Sequence, residues 1–231
     1  MPPGPDIEVW VADASSSAWA AASRGDGEDP DRVSAVGREL EAAVRAHGGY
    51  AGPSNLSHSG AQVAFAIARS SSVVRLGIDL ELRRPTPRPR AFARRILAPG
   101  EEGASDLIAA WTLKEAALKA TREGLTGDPR AWRFDDLEGL GPRLVRAPPA
   151  WGPPESWAFL RADVDGPAAL ALALRLDKIH SLDVCVRSVQ APADISVADR
   201  RSSFCLRWSP ASSPAASCAG GFRNRSDKVK S

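Results

Sequence analysis

Two short segments hold charged residues whose types and spacing suit cation and phosphate chemistry. In Gly77-Ile78-Asp79-Leu80-Glu81 the two acids are two residues apart at the end of an apolar run. On a strand they face the same way. In Trp111-Thr112-Leu113-Lys114-Glu115-Ala116-Ala117-Leu118-Lys119, Glu115 and Lys119 are i and i+4, on one helix face, and Lys114 lies beside them. If the strand end meets that face, three carboxylates and two ammonium groups converge. Three clustered carboxylates repel one another unless a cation holds them. Oxygen-only ligands favour Mg²⁺, which keeps some waters and takes phosphate oxygens as further ligands. Nearby lysines would bind the rest of a polyphosphate. Such a set suits pyrophosphate-bond or phosphoryl chemistry. Taken singly, Asp-x-Glu reads as a solvated strand edge. Glu115 with Lys119 alone reads as a surface helix pair worth a few tenths of a kcal/mol. The specific signal is their joint occurrence in this order.

The elements that must position these groups follow from periodicity. Ile7 to Ala12 alternates as a strand. Asp31 caps a helix running to about His47, with Val33, Val36, Leu40 and Val44 at helical spacing. Ser54 to Ser59 is polar. Gln62 to Ala68 and Val73 to Leu80 read as strands, and the short Ser70–Ser72 link predicts an antiparallel pair. Pro85, Pro87 and Pro89 exclude regular structure over Leu82 to Arg90. Ala91 to Leu97 predicts a short helix, and Ser105 to about Glu123 the best helix in the chain. Strands are expected at Ala131–Phe134, Arg143–Val145, Ser156–Arg161 and Ala168–Leu174. This is an α+β pattern, without βαβ alternation.

Composition bounds the function classes. The 231 residues, 43% hydrophobic and 25% charged, are ordinary for one compact domain or two small ones. No apolar run of about 18 residues predicts a membrane span. The N-terminus shows no secretory pattern, so a cytoplasmic setting is expected. The net charge of +2 is uneven: Lys178 to Ser231 carries nine basic and four acidic residues, and the rest 21 basic and 24 acidic. The body therefore lacks the basic footprint of a nucleic-acid binder. From Lys178 onward the patterning fades and eleven of 54 residues are serine, so 178–231 reads as a disordered or non-native tail, such as a shifted reading frame would leave. Cys185, Cys205 and Cys218 all lie there. Their odd number and lack of CxxC spacing argue against a zinc site and a disulfide framework. A chain ending near Asp177 is expected to fold. In the body, Arg83, Arg84, Arg88, Arg90, Arg94 and Arg95 form a basic cluster, either a solvated loop or a docking surface for an acidic partner.

The two charged segments together resemble the paired signature of the 4′-phosphopantetheinyl transferase superfamily. Asn55-Leu56-Ser57-His58-Ser59 is similar to a third motif of that family. Their order resembles the surfactin-synthetase-activating type, in which two similar halves share one chain. The resemblance runs from about Asn55 to Leu174. It implies two pseudo-symmetric halves, 1–72 (shortened) and 73–177, each a small antiparallel sheet packed with a helix, with the active site between them and a monomer sufficient. It implies transfer of phosphopantetheine from coenzyme A to a serine of an acyl or peptidyl carrier protein, releasing 3′,5′-ADP. Carried over residue by residue, Asp79, Glu81 and Glu115 match the Mg²⁺ ligands. Lys119 and Lys114 match phosphate-binding lysines, and Ser57 and His58 match residues contacting coenzyme A. Glu101, or the adjacent Glu102, resembles a proposed general base. The family's Gly-Lys-Pro turn has no lysine here, where the chain reads Gly48-Gly49-Tyr50-Ala51-Gly52-Pro53. Rival expectations are a non-catalytic relative that binds coenzyme A or carrier protein, and an unrelated Mg²⁺-dependent phosphohydrolase.

Overall fold

The computed structural model describes residues 5–19, 28–48, 50–139, 141–164, 168–178, 180–196, 203–210 and 223–224. Strand β1 (Ile7–Asp13) leads to helix α1 (Pro30–Gly48) and then to the strands β2 (Ser54–Ser59) and β3 (Gln62–Ala68). Next come β4 (Val73–Leu82), helix α2 (Pro89–Ile96) and helix α3 (Leu107–Thr121). The short strands β5 (Arg133–Asp135) and β6 (Arg143–Arg146) precede the long strands β7 (Trp157–Val164) and β8 (Ala168–Leu176). The chain returns through β9 (Leu182–Val189), β10 (Ser203–Trp208) and β11 (Arg223–Asn224).

The α+β class is as the sequence indicates. One sheet has the order β11-β10-β9-β1-β3-β2, a second β4-β8-β7, and β5-β6 form a separate ribbon. In β1-β3-β2 and β4-β8-β7 alike, the first strand pairs with the last and the last with the middle one, all antiparallel. The first sheet is larger than expected and mixed, because β9 runs parallel to β1.

Alternation along the strands builds the layers. Ile7, Val9, Val11, Ala64, Ala66 and Ala68 of the first sheet pack with Ile78, Leu80, Leu160, Leu170, Leu172 and Leu174 of the second. The opposite face of the first sheet, including Trp10, Phe65 and Ile67, meets α1 through Val33, Val36, Leu40 and Val44. The opposite face of the second sheet meets α3, with Phe159, Ala171 and Ala173 against Ala110, Leu113, Ala116 and Ala117. The layers thus run helix, sheet, sheet, helix.

Three expectations fail here for identifiable reasons. First, β3 and β4 do not pair. Their link crosses from one sheet to the other, and β4 pairs with β8 instead. Second, the chain after Lys178 is not a featureless tail. Leu182, Val184 and Val186 alternate into the space between the sheets, so β9 is core. The boundary at 177 therefore cuts through the first sheet. The serine-rich stretches at 211–222 and 225–231 fall outside the described residues. Third, Cys185 and Cys205 sit opposite each other on β9 and β10 and form a disulfide. Cys218 lies outside the described residues.

Gly77 sets how closely α3 rests on β4. A Cβ there would lie 2.1 Å from the Ala116 carbonyl oxygen and 2.5 Å from the Ala120 nitrogen, both backbone atoms. Gly77→Ala must push the helix off the strand. It should destabilise the protein by about 1–3 kcal/mol or more, lowering the melting temperature by roughly 2–4 °C per kcal/mol. A thermal unfolding curve matching the parent would show that the close approach is not needed.

Candidate functional site

The acidic pair lies where the first sheet meets the second. The outer edge of β4 is turned away from β8, and its alternate N–H groups point toward β2. Asn55 Oδ1 accepts the Ile78 N–H at 3.1 Å, Ser57 Oγ the Leu80 N–H at 3.2 Å, and Ser59 Oγ the Leu82 N–H at 3.2 Å. Side chains of β2 thus replace the main-chain ladder that a neighbouring strand would supply. Asp79 and Glu81, on the other alternation of β4, face α3.

Lys119 Nζ donates to Asp79 Oδ1 at 2.6 Å and to Ser57 Oγ at 2.8 Å. Ser57 donates its own proton to Asp79 Oδ1 at 2.9 Å, and Ser59 donates to Glu81 Oε2 at 2.9 Å. Asp79 is buried, and its Oδ2 has no hydrogen-bond partner among the described residues; the same is true of Glu115 Oε1. Burial pushes the Asp79 carboxyl above the usual carboxylate range despite the Lys119 ammonium beside it, and the Glu81 charge adds to the push. The Glu115 carboxyl is raised first by burial and then by the charge of Asp79, with Glu81 adding and Lys119 opposing. The three acids therefore act on one another. Among the described residues no three His, Cys, Asp or Glu side chains make a ready-formed metal cage. The donor set nonetheless suits a hard cation: all oxygen, mutually repelling, with two buried oxygens left without a donor.

These raised values carry a pH dependence. A carboxyl with a higher pKa folded than unfolded holds its proton more readily when folded. The fold therefore loses stability as pH rises from about 4, the unfolded value, through the raised one. Asp79→Asn and Glu115→Gln should each flatten that decline in the metal-free protein, read from melting temperatures between pH 4 and 8. A decline left unchanged in both variants would place its origin elsewhere.

Lys114 and Glu101 are not in this site. Helix geometry turns Lys114 about 100° from Glu115, into the stripe that packs on the second sheet and β5. Lys114 Nζ donates to Glu101 Oε2 at 2.5 Å and to the Trp132 carbonyl at 2.9 Å, and both charged side chains are 0% exposed. Glu101 also accepts the N–H groups of Ala98 at 2.6 Å and Phe134 at 2.7 Å. Every oxygen of Glu101 is occupied, and no phosphate can reach Lys114. Burial lowers the Lys114 pKa against the pull of Glu101. The pair is an internal strut fixing α3 to the 98–101 turn and β5. The roles of base and phosphate-binding lysine expected for them are not supported. Glu102 is exposed, held below the usual carboxylate range by the Gly100 N–H that it accepts.

Ser57 and His58 part company for the same reason of alternation. Ser57 is buried against Asp79 and Lys119, while His58 projects to the opposite side of β2 and is exposed. Asn55 and Ser59 are the site residues that sequence reasoning passed over. Their signal was the polar period of two in Asn55, Ser57 and Ser59, with Leu56 on the other face packing toward α1.

Beyond Glu81 the chain passes Arg83, whose guanidinium binds Asp106 at 3.0 Å and Asp163 at 2.8 Å and so ties β4 to the N-terminus of α3 and to β7. A cleft of about 490 Å³ opens there between Arg83, Arg84, Thr86 and Pro89 and the start of α3 from Ser105 to Ile108. Arg84, Arg88, Arg90, Arg94 and Arg95 are exposed, and none forms an ion pair among the described residues.

The site is thus an acidic strand pair facing a helix-borne glutamate and lysine on an α+β scaffold. Residues 75–173, from β4 through β8, match the family model of the 4′-phosphopantetheinyl transferase superfamily. The match, which takes in less than half of the chain, agrees with the resemblance read from the motifs. It takes in Asp79, Glu81, Glu115 and Lys119, while β2 with its serines lies upstream of it. No curated protein matches the chain. No helix of the described residues is long and apolar enough to cross a membrane.

Proposed function

We propose that the protein transfers the 4′-phosphopantetheine arm of coenzyme A to a serine of an acyl or peptidyl carrier protein, with Mg²⁺ as cofactor, releasing 3′,5′-ADP. The observation that carries this reading is the pair of buried, donorless acid oxygens, Asp79 Oδ2 and Glu115 Oε1, beside the Lys119 ammonium. Asp79, Glu81 and Glu115 would hold the cation. Bound there, Mg²⁺ would neutralise charge on the pyrophosphate and on the leaving 3′,5′-ADP.

The remaining work falls to the chain's own side chains. Lys119 is 27% exposed, so its ammonium is reachable by a phosphate oxygen while it holds Asp79. A fixed cation at that point stabilises charge that grows on the leaving group. Glu101, closed into its ion pair and holding two backbone N–H groups, is not free to accept the proton of the carrier serine. One chain holds both sheets and all these groups, so a monomer suffices.

The exposed arginines from Arg84 to Arg95 give an acidic carrier protein a surface to approach, next to the cleft beyond Glu81. Arg90→Glu with Arg94→Glu should raise KM for an acidic carrier several-fold with kcat nearly unchanged, and the difference should shrink in high salt. A KM unaltered at low ionic strength would remove this face from carrier docking.

The test of the function is the mass of apo-carrier proteins incubated with the enzyme, coenzyme A and Mg²⁺. A gain equal to one phosphopantetheine arm, absent with Asp79→Ala, is expected. Binding without a mass gain would point to a non-catalytic relative, and phosphate release without a mass gain to a phosphohydrolase.

A further inference from the structure

The geometry points to Ser57 and Ser59 as positioning residues that aim the acidic pair at its cation. This rests on the reading in which Asp79 and Glu81 are metal ligands. Each serine makes the same pair of bonds. Its Oγ accepts the N–H of the β4 residue that follows the acid, Leu80 or Leu82. Its proton goes to the acid itself, Asp79 or Glu81.

For Ser57 the bonding is complete. A hydroxyl has one proton and two lone pairs. The Leu80 N–H and the Lys119 ammonium take the lone pairs, so the proton can only point at Asp79 Oδ1. Ser57 is itself buried. Asp79 Oδ1 thus receives two donors, Ser57 and Lys119, while Oδ2 is left bare. One oxygen of the acid is clamped and the other is kept for a ligand. Hydrogen bonds of this kind fix the direction of a ligating carboxylate and are worth about 10- to 100-fold in metal affinity when removed.

The consequence is a division of labour between the sheets. The acids stand on β4 in the second sheet, and the groups that aim them stand on β2 in the first. The Asn55, Ser57 and Ser59 side chains that stitch β2 to β4 also set the site. A shift of β2 relative to β4 would release both acids together.

Mn²⁺ alone, titrated into the purified full-length chain and followed by electron paramagnetic resonance, tests this without turnover. The parent should bind one Mn²⁺ per chain. Ser57→Ala should weaken it by about 10- to 100-fold, and Ser59→Ala should weaken it in the same direction. Ser57→Cys keeps a donor and an acceptor there, both weaker and on a slightly larger atom. It should fall between parent and alanine variant, and it serves if Ser57→Ala does not fold. Parental Mn²⁺ affinity in folded Ser57→Cys and Ser59→Ala would overturn the positioning role and leave the metal reading intact. No Mn²⁺ binding by the parent itself would overturn the metal reading and the positioning role with it.

Discussion

A chain that stops at Asp177 should lose cooperative unfolding. The truncation removes β9, which lies parallel to β1 and pairs Val184 to Val189 with Ile7 to Ala12. It also removes Leu182, Val184, Val186 and Leu206 from the space between the two sheets. At about 1.5–3 kcal/mol for each buried aliphatic side chain, these four account for roughly 6–12 kcal/mol. A domain's whole stability is about 5–15 kcal/mol. What remains would also expose the edge of β1 and the apolar faces of Leu170, Leu172 and Leu174. A chain ending at Pro210 keeps β9, β10 and the Cys185–Cys205 disulfide, and it should melt cooperatively within a few degrees of the parent. Circular dichroism melts of both chains check this. A sharp, parent-like transition in the chain ending at Asp177 would mean that β9 contributes little.

That expectation reverses what composition suggests, and the reason is scale. Leu182-Asp183-Val184-Cys185-Val186 alternates as plainly as any strand in the chain, but averaging over 54 serine-rich residues dilutes an eight-residue signal. The short link before β4 misled for another reason. Link length limits which strands can be neighbours but does not fix which edge each will take, and β4 finds its partner in β8, some ninety residues later. By contrast, β3, α1 and the core of α3 were legible, because an apolar period of 2 or 3.6 states directly which face is buried. The acidic pair and the Glu115–Lys119 face were legible for the same reason. Lys114 was within reach too. Its position between Leu113 and Ala117 on the apolar stripe of α3 marks a buried lysine, and a buried lysine needs an acid such as Glu101. The meeting of β2 with β4 was not legible, since it is made by side chains capping a strand edge, for which no sequence period exists.

Lys119→Ala should slow transfer by about a hundredfold or more and should also cost stability, which a free surface lysine would not. In the folded chain Lys119 Nζ is one of two donors on Asp79 Oδ1, and Asp79 is buried. Taking the ammonium away leaves a buried carboxylate with Ser57 alone on that oxygen and nothing on the other. Breaking a fully buried pair costs about 3–5 kcal/mol. Lys119 is partly exposed and water can enter behind it, so a smaller loss of about 1–3 kcal/mol is expected. The loss should be conditional on the charge of Asp79. Asp79→Asn removes the charge that needs Lys119, so adding it to Lys119→Ala should return most of the lost stability. The two changes should thus couple by about 1 kcal/mol or more in a double-mutant cycle. Transfer should not return, because the double variant has lost both a candidate cation ligand and the ammonium proposed to meet the phosphate. The two readouts therefore part: stability recovers and activity stays down. Additive stability changes would mean that the 2.6 Å contact does no energetic work. Near-parental transfer by Lys119→Ala would mean that this face of α3 does not meet the pyrophosphate.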